Sequence, residues 1–424
     1  MKPVLADDAA IGTTSRRMRR GAVALAMGGV LLLTAACGDD KGSDGGSGGG
    51  DAAATAGANG GGAPAPGQSS AAPKTSAAVL TVEPKDGAQD VSPTNALAVS
   101  VASGKLTTVE VTDKEGKPVA GAITPDGSGW KPSAPLAVGM VYKVSAQAQD
   151  AEGLVTASTT SFTTLTPAKT ISTNDNIADN ATYGVGMIVS VVFNKDVKNK
   201  EAVAKGITFE TSDGAATEVK GHWFGTKRLD FRPAEYWKPG TKVTIHYRLK
   251  NVEVAPGIYG DVDKDEPFTI GRSQVSTADA AAHTMTTVRD GKSTTVPVTL
   301  GADATPSWGG TMVIMSKEKV TRMNSQTVGL GGEYDIQDVP HAMRLTTSGT
   351  FVHGNYWANP FGKSNASHGC VSMADEKGGS DTSVAGKFFN DSLVGDVVKI
   401  VNTKEKTVAP DNGLGGWNIG WANW

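Results

Sequence analysis

The sequence predicts a mainly β protein, in which two similar β-sandwich domains precede a third β-rich domain with few short helices. From Val79 onward, short runs of alternating apolar residues are separated by Gly, Pro, Asp and Asn, a pattern typical of strands and turns. Residues 79–165 and 166–272 repeat one pattern at a constant offset of 101 residues. Near Ser273 the composition changes again, which indicates that a third domain begins there.

Length and charge limit the function classes. A chain of 424 residues with 39% hydrophobic residues is long enough for about three domains with real cores, so disorder throughout is excluded. Lys and Arg number 40 against 43 Asp and Glu, for a net charge of -3. Without a basic excess, a nucleic-acid partner is not expected.

The N-terminus predicts export and lipidation. Residues 16–20 read RRMRR and precede the apolar run GAVALAMGGVLLLTAAC, which ends at Cys37. This run is shorter than the about 20 residues that a transmembrane helix needs, and its cationic start is typical of a signal peptide. The exit LTAAC resembles a bacterial lipobox, with Thr34 where Leu is usual. The resemblance implies that residues 1–37 comprise a lipoprotein signal and Cys37, the lipidated first residue of the mature chain. Sec and twin-arginine export both stay open.

Residues 38–78 are predicted to be a disordered linker. They consist almost wholly of Gly, Ala, Ser, Asp, Pro and Thr, a composition that forms no packed core. A coil of about 40 such residues spans roughly 35 Å. We therefore expect a protein anchored by lipid to the outer face of the cell membrane and reaching into the cell wall.

The repeat centres on an aromatic residue, a Pro turn and a Gly turn. Trp130-Lys131-Pro132 is followed by Gly139 and MVYKVSAQ, and Phe231-Arg232-Pro233 is followed by Gly240 and TKVTIHYR. Alternating strands after such turns fit sandwiches of the immunoglobulin-like class, at 79–165 and 166–272. We interpret these domains as a stalk, with direct binding of glycan or a partner as the alternative. His222 and His246 are interpreted as ordinary strand residues.

The third domain is predicted at residues 273–402. It contains a hairpin turning at Asp290-Gly291, a strand in GTFVHGNYW and another in GDVVKIVN. The one clear helix candidate is SDTSVAGKFFNDSL, with Ser380 or Asp381 as its cap. The Trp-rich tail, residues 403–424, is expected to pack on this domain.

The stretch SHGCVSM contains the only cysteine beyond Cys37, so Cys370 has no disulfide partner once Cys37 is lipidated. His353 and His368 suggest a thiol nucleophile, because imidazole can take the thiol proton. The turn at Gly369 could direct backbone N–H groups at one point, as an oxyanion hole does. Zinc binding is a competing interpretation, but no CxxC or HExxH pattern supplies further ligands. The third interpretation is that Cys370 is a buried, unreactive cysteine.

FVHGNYW and SHGCVSM together resemble the signature of the L,D-transpeptidase catalytic domain, a His-Gly or His-Ser pair followed by Ser-His-Gly-Cys. The resemblance extends from about Ser273 to the C-terminus. It also covers the order of lipoprotein signal, two immunoglobulin-like domains and catalytic domain found in actinobacterial members. The resemblance to these members implies that the protein is an acyltransferase that needs no cofactor and no metal ion.

The resemblance implies a role for each matching residue. Cys370 would attack the peptide bond before the terminal D-Ala of a peptidoglycan tetrapeptide stem and form an acyl-enzyme. His353 matches the general base, and the carbonyl of Gly354 would orient its imidazole. His368 matches the second motif histidine, and the amides of Gly369 and Cys370 fit the oxyanion role.

Five residues are predicted to contact the substrate: Met323, Tyr334, Trp357, Ser367 and Ser372. Ser372 departs from the family, which commonly has Asn or Arg two residues after the cysteine, so its role cannot be assigned from the sequence.

The predicted function is formation of 3→3 peptidoglycan cross-links, with one tetrapeptide stem as donor and another as acceptor. β-Lactams of the carbapenem class would be inhibitors. Transfer to water, as in an L,D-carboxypeptidase, and transfer to a protein amine are alternatives within the family. A cell-wall binding lipoprotein without catalysis is the alternative from another class.

Overall fold

The computed structural model describes residues 74–214, 217–328 and 331–424, and this part of the chain is mostly β strand, as predicted. The predicted signal peptide, Cys37 and the linker through residue 73 lie outside the described residues. Among the described residues, no helix has the length and apolar character needed to cross a membrane.

The first domain is a sandwich of two four-stranded sheets. Its strands, in chain order, are β1 (Val79–Glu83), β2 (Ala88–Val91), β3 (Ala98–Ala102), β4 (Lys105–Asp113), β5 (Gly121–Ile123), β6 (Gly129–Pro132), β7 (Val141–Gln149) and β8 (Val155–Thr164). The sheet orders are β1-β3-β6-β5 and β2-β8-β7-β4. Trp130 of one sheet and Phe162 of the other are buried in the core between them.

The second domain repeats this architecture with an added ribbon and a short helix. Its elements are β9 (Lys169–Ile171), β10 (Thr173–Asp175), β11 (Thr182–Tyr183), β12 (Val189–Phe193), α1 (Lys200–Lys205), β13 (Ile207–Thr211), β14 (Val219–Phe224), β15 (Arg228–Pro233), β16 (Lys242–Arg248), β17 (Glu253–Ala255), β18 (Ile258–Gly260) and β19 (Asp263–Ile270). The sheets have the orders β10-β12-β15-β14 and β11-β19-β16-β13, and the ribbon has the order β17-β18-β9.

The sequence repeat corresponds to one strand-turn-strand unit in both domains. Trp130 lies in β6 and Phe231 in β15, and both side chains are buried. Gly139 and Gly240 then adopt φ angles of 64° and 83°, a left-handed conformation that glycine adopts without strain. In β7 and β16, the residues that the alternation predicts to face inward are the buried ones.

The linker ends earlier than predicted. Ala78 is buried, the N–H of Ala77 donates to Asp150 Oδ2 at 2.8 Å, and Ser76 Oγ donates to the same carboxylate at 3.1 Å. Small residues resemble linker in composition, but here Asp150 at the β7–β8 turn supplies hydrogen-bond acceptors that hold them against the first domain.

The third domain consists of two sheets and one helix. Its elements are β20 (Gln274–Asp279), β21 (Thr284–Arg289), β22 (Lys292–Pro297), β23 (Gly310–Val313), β24 (Ser316–Asn324), β25 (Asp335–Arg344), β26 (Phe351–Asn355), β27 (Val371–Ala374), α2 (Val384–Asp391) and β28 (Val397–Val401). The sheet orders are β22-β21-β20-β28-β23 and β24-β25-β26-β27. Short 3-10 helices cover Ser325–Val328, Gly415–Asn418 and Trp421–Asn423. The predicted hairpin is present: Asp290 and Gly291 have φ angles of 46° and 80°.

Helix α2 begins later than predicted. Its N-cap is Ser383, whose hydroxyl accepts from the N–H of Gly386 at 2.8 Å, so the predicted cap at Ser380 or Asp381 is wrong. The N–H of Ser380 instead donates to Asp375 Oδ1 at 3.0 Å. That bond holds Ser380 in the preceding turn, where its hydroxyl pairs with that of Thr382 at 3.1 Å, and Ser383 caps the helix.

The second and third domains share a buried boundary. Val313 of the third domain and Leu414 of the C-terminal tail belong to the core of the second domain. The guanidinium of Arg272 donates to both carboxylate oxygens of Asp396 at 2.9 Å. This bidentate pair joins β19's end to the loop before β28.

The C-terminal tail contacts both domains, whereas the sequence predicted contact with the third alone. Asn418 exchanges hydrogen bonds with the backbone of Thr311 on β23, both at 2.8 Å. Trp417 Nε1 donates to the carbonyl of Gly186, and Trp424 Nε1 donates to that of Lys220, in the second domain. Arg232 is buried beneath the tail, with its guanidinium 4.6 Å from the Trp417 ring and 4.4 Å from the Trp424 ring.

Arg232→Ala is expected to loosen the tail and to lower the free energy of unfolding by about 2 to 4 kcal/mol. The substitution removes three cation–π contacts of a buried guanidinium, to Trp417, Trp421 and Trp424, and its hydrogen bonds to the carbonyls of Pro233 and Ile419. Lys220→Ala is the matched control, because Lys220 also lies over a tail indole, Trp421, but is half-exposed; its loss should stay below about 1 kcal/mol. Calorimetry measures the loss of stability in each variant, and hydrogen exchange of residues 415–424 measures how far the tail has loosened. Equal losses in the two variants would contradict the account.

Candidate active site

A cavity of about 270 Å³ lies in the third domain, beside the ends of β26 and β27. Eight of the ten predicted catalytic and substrate residues line it: Met323, Tyr334, His353, Trp357, Ser367, His368, Cys370 and Ser372. Gly354 and Gly369 adjoin these residues in the chain. Cys37 lies outside the described residues. The sequence did not predict five further lining residues: Ile336, Asn355, Ala358, Pro360 and Ala366.

The parallel pairing of β26 with β27 brings the two segments of the motif together. His353 lies opposite Ser372 in the register. Because strand side chains alternate between faces, Val352, Val371 and Met373 point into the core of the domain, where they are fully buried. The intervening residues, His353 and Ser372, then face the cavity, and Cys370 lies on the same side, immediately before β27.

A tight turn delivers Cys370 to this position. Ser367 Oγ donates to the carbonyl of Cys370 at 2.6 Å, and Gly369 has a φ of 109°, a region open to glycine but strained for other residues. The N–H of Ser367 donates to the carbonyl of Leu300 at 3.0 Å, and the Ser367 carbonyl accepts from Ala302 at 2.8 Å. The hydroxyl of Ser367 therefore has a backbone partner within the turn.

His353 is buried with both ring nitrogens hydrogen-bonded. Nδ1 lies 2.8 Å from the carbonyl of Gly354, which can only accept, so Nδ1 carries the hydrogen. Nε2 lies 3.1 Å from Ser372 Oγ, and the Trp357 indole stacks on the imidazole at 5.9 Å. Burial lowers the pKa of His353 to about 4, against a smaller opposing effect of the Gly354 carbonyl. The free imidazole is therefore neutral at physiological pH, with Nε2 as the acceptor.

Cys370 is 7% exposed, and its Sγ lies 3.8 Å from the carbonyl of Gly349. Burial raises the pKa of the thiol to about 11, although the N–H of Phe351 and the charge of Arg344 favour the thiolate. The cavity thus contains a neutral thiol and a neutral imidazole rather than an ion pair.

Three consecutive amides next to the thiol have no acceptor. Within the described part of the chain, the N–H groups of His368, Gly369 and Cys370 donate to no other protein group. A cluster of N–H groups without a protein acceptor at one turn suits an oxygen that gains negative charge.

His368 lies at the rim rather than beside His353. Its Nε2 is 3.5 Å from Glu333 Oε2, with both side chains about half-exposed, and its ring is 5.1 Å from the ring of Tyr334. These contacts join the turn before Cys370 to the loop before β25, and they form one side of the cavity mouth. Trp357, 42% exposed, forms another part of the rim.

The sequence analysis missed two residues of the site, Asn355 and Asp375, and only the first could have been found from the sequence. Asn355 follows His353 by two residues, so strand alternation alone could have predicted that it lines the cavity. Its Oδ1 accepts from the N–H groups of Trp357 and Ala358 at 3.1 and 3.2 Å, which holds the indole near the imidazole. Asp375 has no comparable signal, because its importance depends on packing behind Gly354.

Gly354 is required by the buried carboxylate behind it. A Cβ at Gly354 would lie 2.7 Å from Asp375 Cβ and overlap its carboxylate. Asp375 cannot move easily, since His341 Nδ1 lies 2.7 Å from its Oδ2 and the N–H groups of Glu376 and Ser380 donate to its Oδ1. The glycine thus lets His341 and Asp375 support the strand whose carbonyl orients His353.

Gly354→Ala is expected to lower the free energy of unfolding by about 1 to 3 kcal/mol through overpacking. It should also reduce the reactivity of the site, because the Gly354 carbonyl must shift from His353 Nδ1. Gly420→Ala is the matched control: Gly420 has a φ of -62° and no atom within 4 Å of an added Cβ. Denaturant unfolding measures the free energy of unfolding of both variants. A Gly354→Ala protein as stable as the wild type would contradict the prediction.

Among the residues that the structure describes, no three His, Cys, Asp or Glu side chains are arranged to bind a metal ion. Cys370 is a free, buried thiol.

Comparison with known proteins agrees with the two parts of the fold. A family model described as a bacterial Ig domain matches residues 88–253, and a model of the L,D-transpeptidase catalytic domain matches residues 273–400. L,D-transpeptidase 2 of Mycobacterium tuberculosis is 31% identical over 350 residues, covering 81% of this chain and 83% of that protein. L,D-transpeptidase 5 of the same species is 29% identical over 356 residues, covering 81% and 76%.

Solved structures include LD transpeptidase LdtMt1 in complex with imipenem, with 29% identity and a TM-score of 0.45, covering 54% of this chain and 97% of that one. The family identified from FVHGNYW and SHGCVSM is confirmed by the matched models and the full-length relatives. The chain belongs to the L,D-transpeptidase family, with a bacterial Ig region followed by an L,D-transpeptidase catalytic domain.

Proposed function

We propose that this enzyme forms 3→3 cross-links in peptidoglycan through a Cys370 acyl-enzyme. The observation that carries the proposal is that Cys370 and His353 line one cavity, next to a turn whose amides at residues 368–370 have no acceptor among the described residues. A nucleophile, a base and an oxyanion site are the groups that acyl transfer requires.

In the first half-reaction, Cys370 attacks the carbonyl between the third residue and the terminal D-Ala of a donor stem. The S–H bond breaks, and its proton passes to Nε2 of His353, whose Nδ1–H stays bonded to the Gly354 carbonyl. The new C–S bond gives a tetrahedral intermediate. Its collapse breaks the C–N bond, and the imidazolium returns the proton to the nitrogen of the departing D-Ala.

The oxyanion of this intermediate would accept from the amides of Gly369 and Cys370, with His368 bracing their turn through Glu333. Met323, Tyr334, Trp357 and Ser367 line the same cavity, which supports their proposed contact with the stem peptide.

In the second half-reaction, the side-chain amine of another stem's third residue attacks the thioester and restores the Cys370 thiol. This gives the 3→3 cross-link. Water as acceptor would give L,D-carboxypeptidase activity, and a protein amine would give protein anchoring; the assay below distinguishes cross-linking from hydrolysis. We also propose carbapenems as inhibitors, a class to which the imipenem seen with LdtMt1 belongs.

We propose further that the enzyme acts outside the cytoplasm, attached to the membrane by a lipid on Cys37. The cationic and apolar start of the chain, the LTAAC exit and the Gly- and Ala-rich residues that follow support this location. The two sandwich domains would then serve as a stalk that carries the catalytic domain into the wall.

Cys370→Ala is expected to abolish both D-Ala release and dimer formation when the purified protein is incubated with tetrapeptide muropeptides. The variant loses the nucleophile but little packing volume. Mass spectrometry of the products identifies 3→3 dimers, tripeptides from hydrolysis, or neither. Tripeptides without dimers would favour the carboxypeptidase, and binding to sacculi without D-Ala release would favour the non-catalytic lipoprotein.

Alkylation of Cys370 by iodoacetamide is expected to rise about tenfold per pH unit from pH 7 to pH 10 in the free enzyme. With the thiol pKa raised to about 11, the thiolate fraction grows over the whole range, and at pH 8 it is roughly a hundredfold below that of an unburied thiol. The denatured protein, whose thiol has its ordinary pKa, is the control. A reactivity plateau below pH 7 would indicate a preformed thiolate–imidazolium pair and contradict this description.

A further inference from the structure

The sequence places Ser372 among the substrate residues without assigning it a specific role, and the structure gives it a specific contact. Its Oγ lies 3.1 Å from Nε2 of His353, the nitrogen that must accept the thiol proton in the proposed reaction. The side chain is 1% exposed.

The backbone fixes the position of this hydroxyl. Ser372 pairs with His353 across the parallel strands. On its other side, its N–H donates to the carbonyl of Thr299 at 2.8 Å and its carbonyl accepts from the Thr299 N–H at 3.0 Å. With both strand edges bonded, the backbone of Ser372 has little freedom, and Oγ can change position only by rotation about the Cα–Cβ bond.

From this geometry we infer that Ser372 is a positioning residue, whose hydroxyl holds the His353 imidazole in both of its protonation states. The inference rests on the proposed function only in naming the reaction that uses the imidazole. In the free enzyme, the Gly354 carbonyl requires a hydrogen on Nδ1, so Ser372 donates to the lone pair of Nε2. The hydroxyl hydrogen rotates away from Nε2 as the thiol proton arrives there, and Oγ then accepts from Nε2–H until that proton passes to the departing amine.

A hydroxyl suits this exchange because it is donor and acceptor at one atom. An Arg at this position, common in the family, could only donate, and an Asn would have to turn its amide to change from donor to acceptor. Ser372 is therefore assigned to the base and not to the substrate, which revises the substrate role predicted from the sequence.

The test compares Ser372→Ala with the wild-type protein by 15N NMR of labelled histidine and by steady-state D-Ala release. The Nε2 resonance of His353, assigned by its loss in His353→Gln, should move downfield in Ser372→Ala, toward an unbonded imidazole nitrogen. kcat should fall about threefold to tenfold, as expected for one lost hydrogen bond, while KM stays within twofold. Ser372→Thr retains the hydroxyl and should restore both readouts.

Ser276→Ala is the matched control, because it removes another buried strand hydroxyl, bonded to Thr287 Oγ1 at 3.0 Å on β21. It should change neither readout. An unchanged His353 resonance in Ser372→Ala would overturn the inference, and so would a raised KM at constant kcat, which would mark Ser372 as a substrate contact. The NMR comparison needs no turnover. An inactive wild-type protein with the predicted resonance shift would refute the proposed function alone.

Discussion

The parallel pairing of β26 with β27 is the constraint on which the site depends. It joins two segments that are 17 residues apart at His353 and Cys370 and sets His353 opposite Ser372. The same alternation that buries Val352 and Val371 in the core places the imidazole and the hydroxyl in the cavity. A slip of one residue would reverse every side chain, so core packing protects the chemistry of the site. Asp375 reinforces this arrangement from behind, where only a glycine fits at position 354.

Burial determines the protonation states of Cys370 and His353 in the free enzyme. Desolvation raises the pKa of Cys370 and lowers that of His353, so each group rests in its neutral form. The charge that develops during acyl transfer would then be met by groups already in place: the unpaired amides before Cys370 and the carbonyl of Gly354. Such groups need little reorganisation at the moment of reaction. The neutral resting state would also suit the oxidising compartment proposed above, since a thiol reacts much less readily than a thiolate.

The structural features that the sequence predicted are those that depend on the local pattern of residues. Alternation and the repeated Gly139 and Gly240 turns predicted the sandwiches, and the resemblance of FVHGNYW and SHGCVSM to the family signature predicted that His353 and Cys370 share one site. Contacts between distant segments were not predictable: the tail's attachment to the second domain depends on Arg232 beneath its indoles. The cap of α2 was misplaced because Asp375 engages the N–H of Ser380. The partner of Ser372 became evident only from the strand register, since a serine two residues after the nucleophile has no distinctive sequence signal.

The central claim is that Cys370 is the group that becomes acylated. It is tested most directly by incubating the protein with a carbapenem, measuring intact mass and mapping the modified peptide. The account predicts one adduct on the peptide that contains Cys370 and no adduct on the Cys370→Ala variant. An adduct that persists on the variant would contradict it.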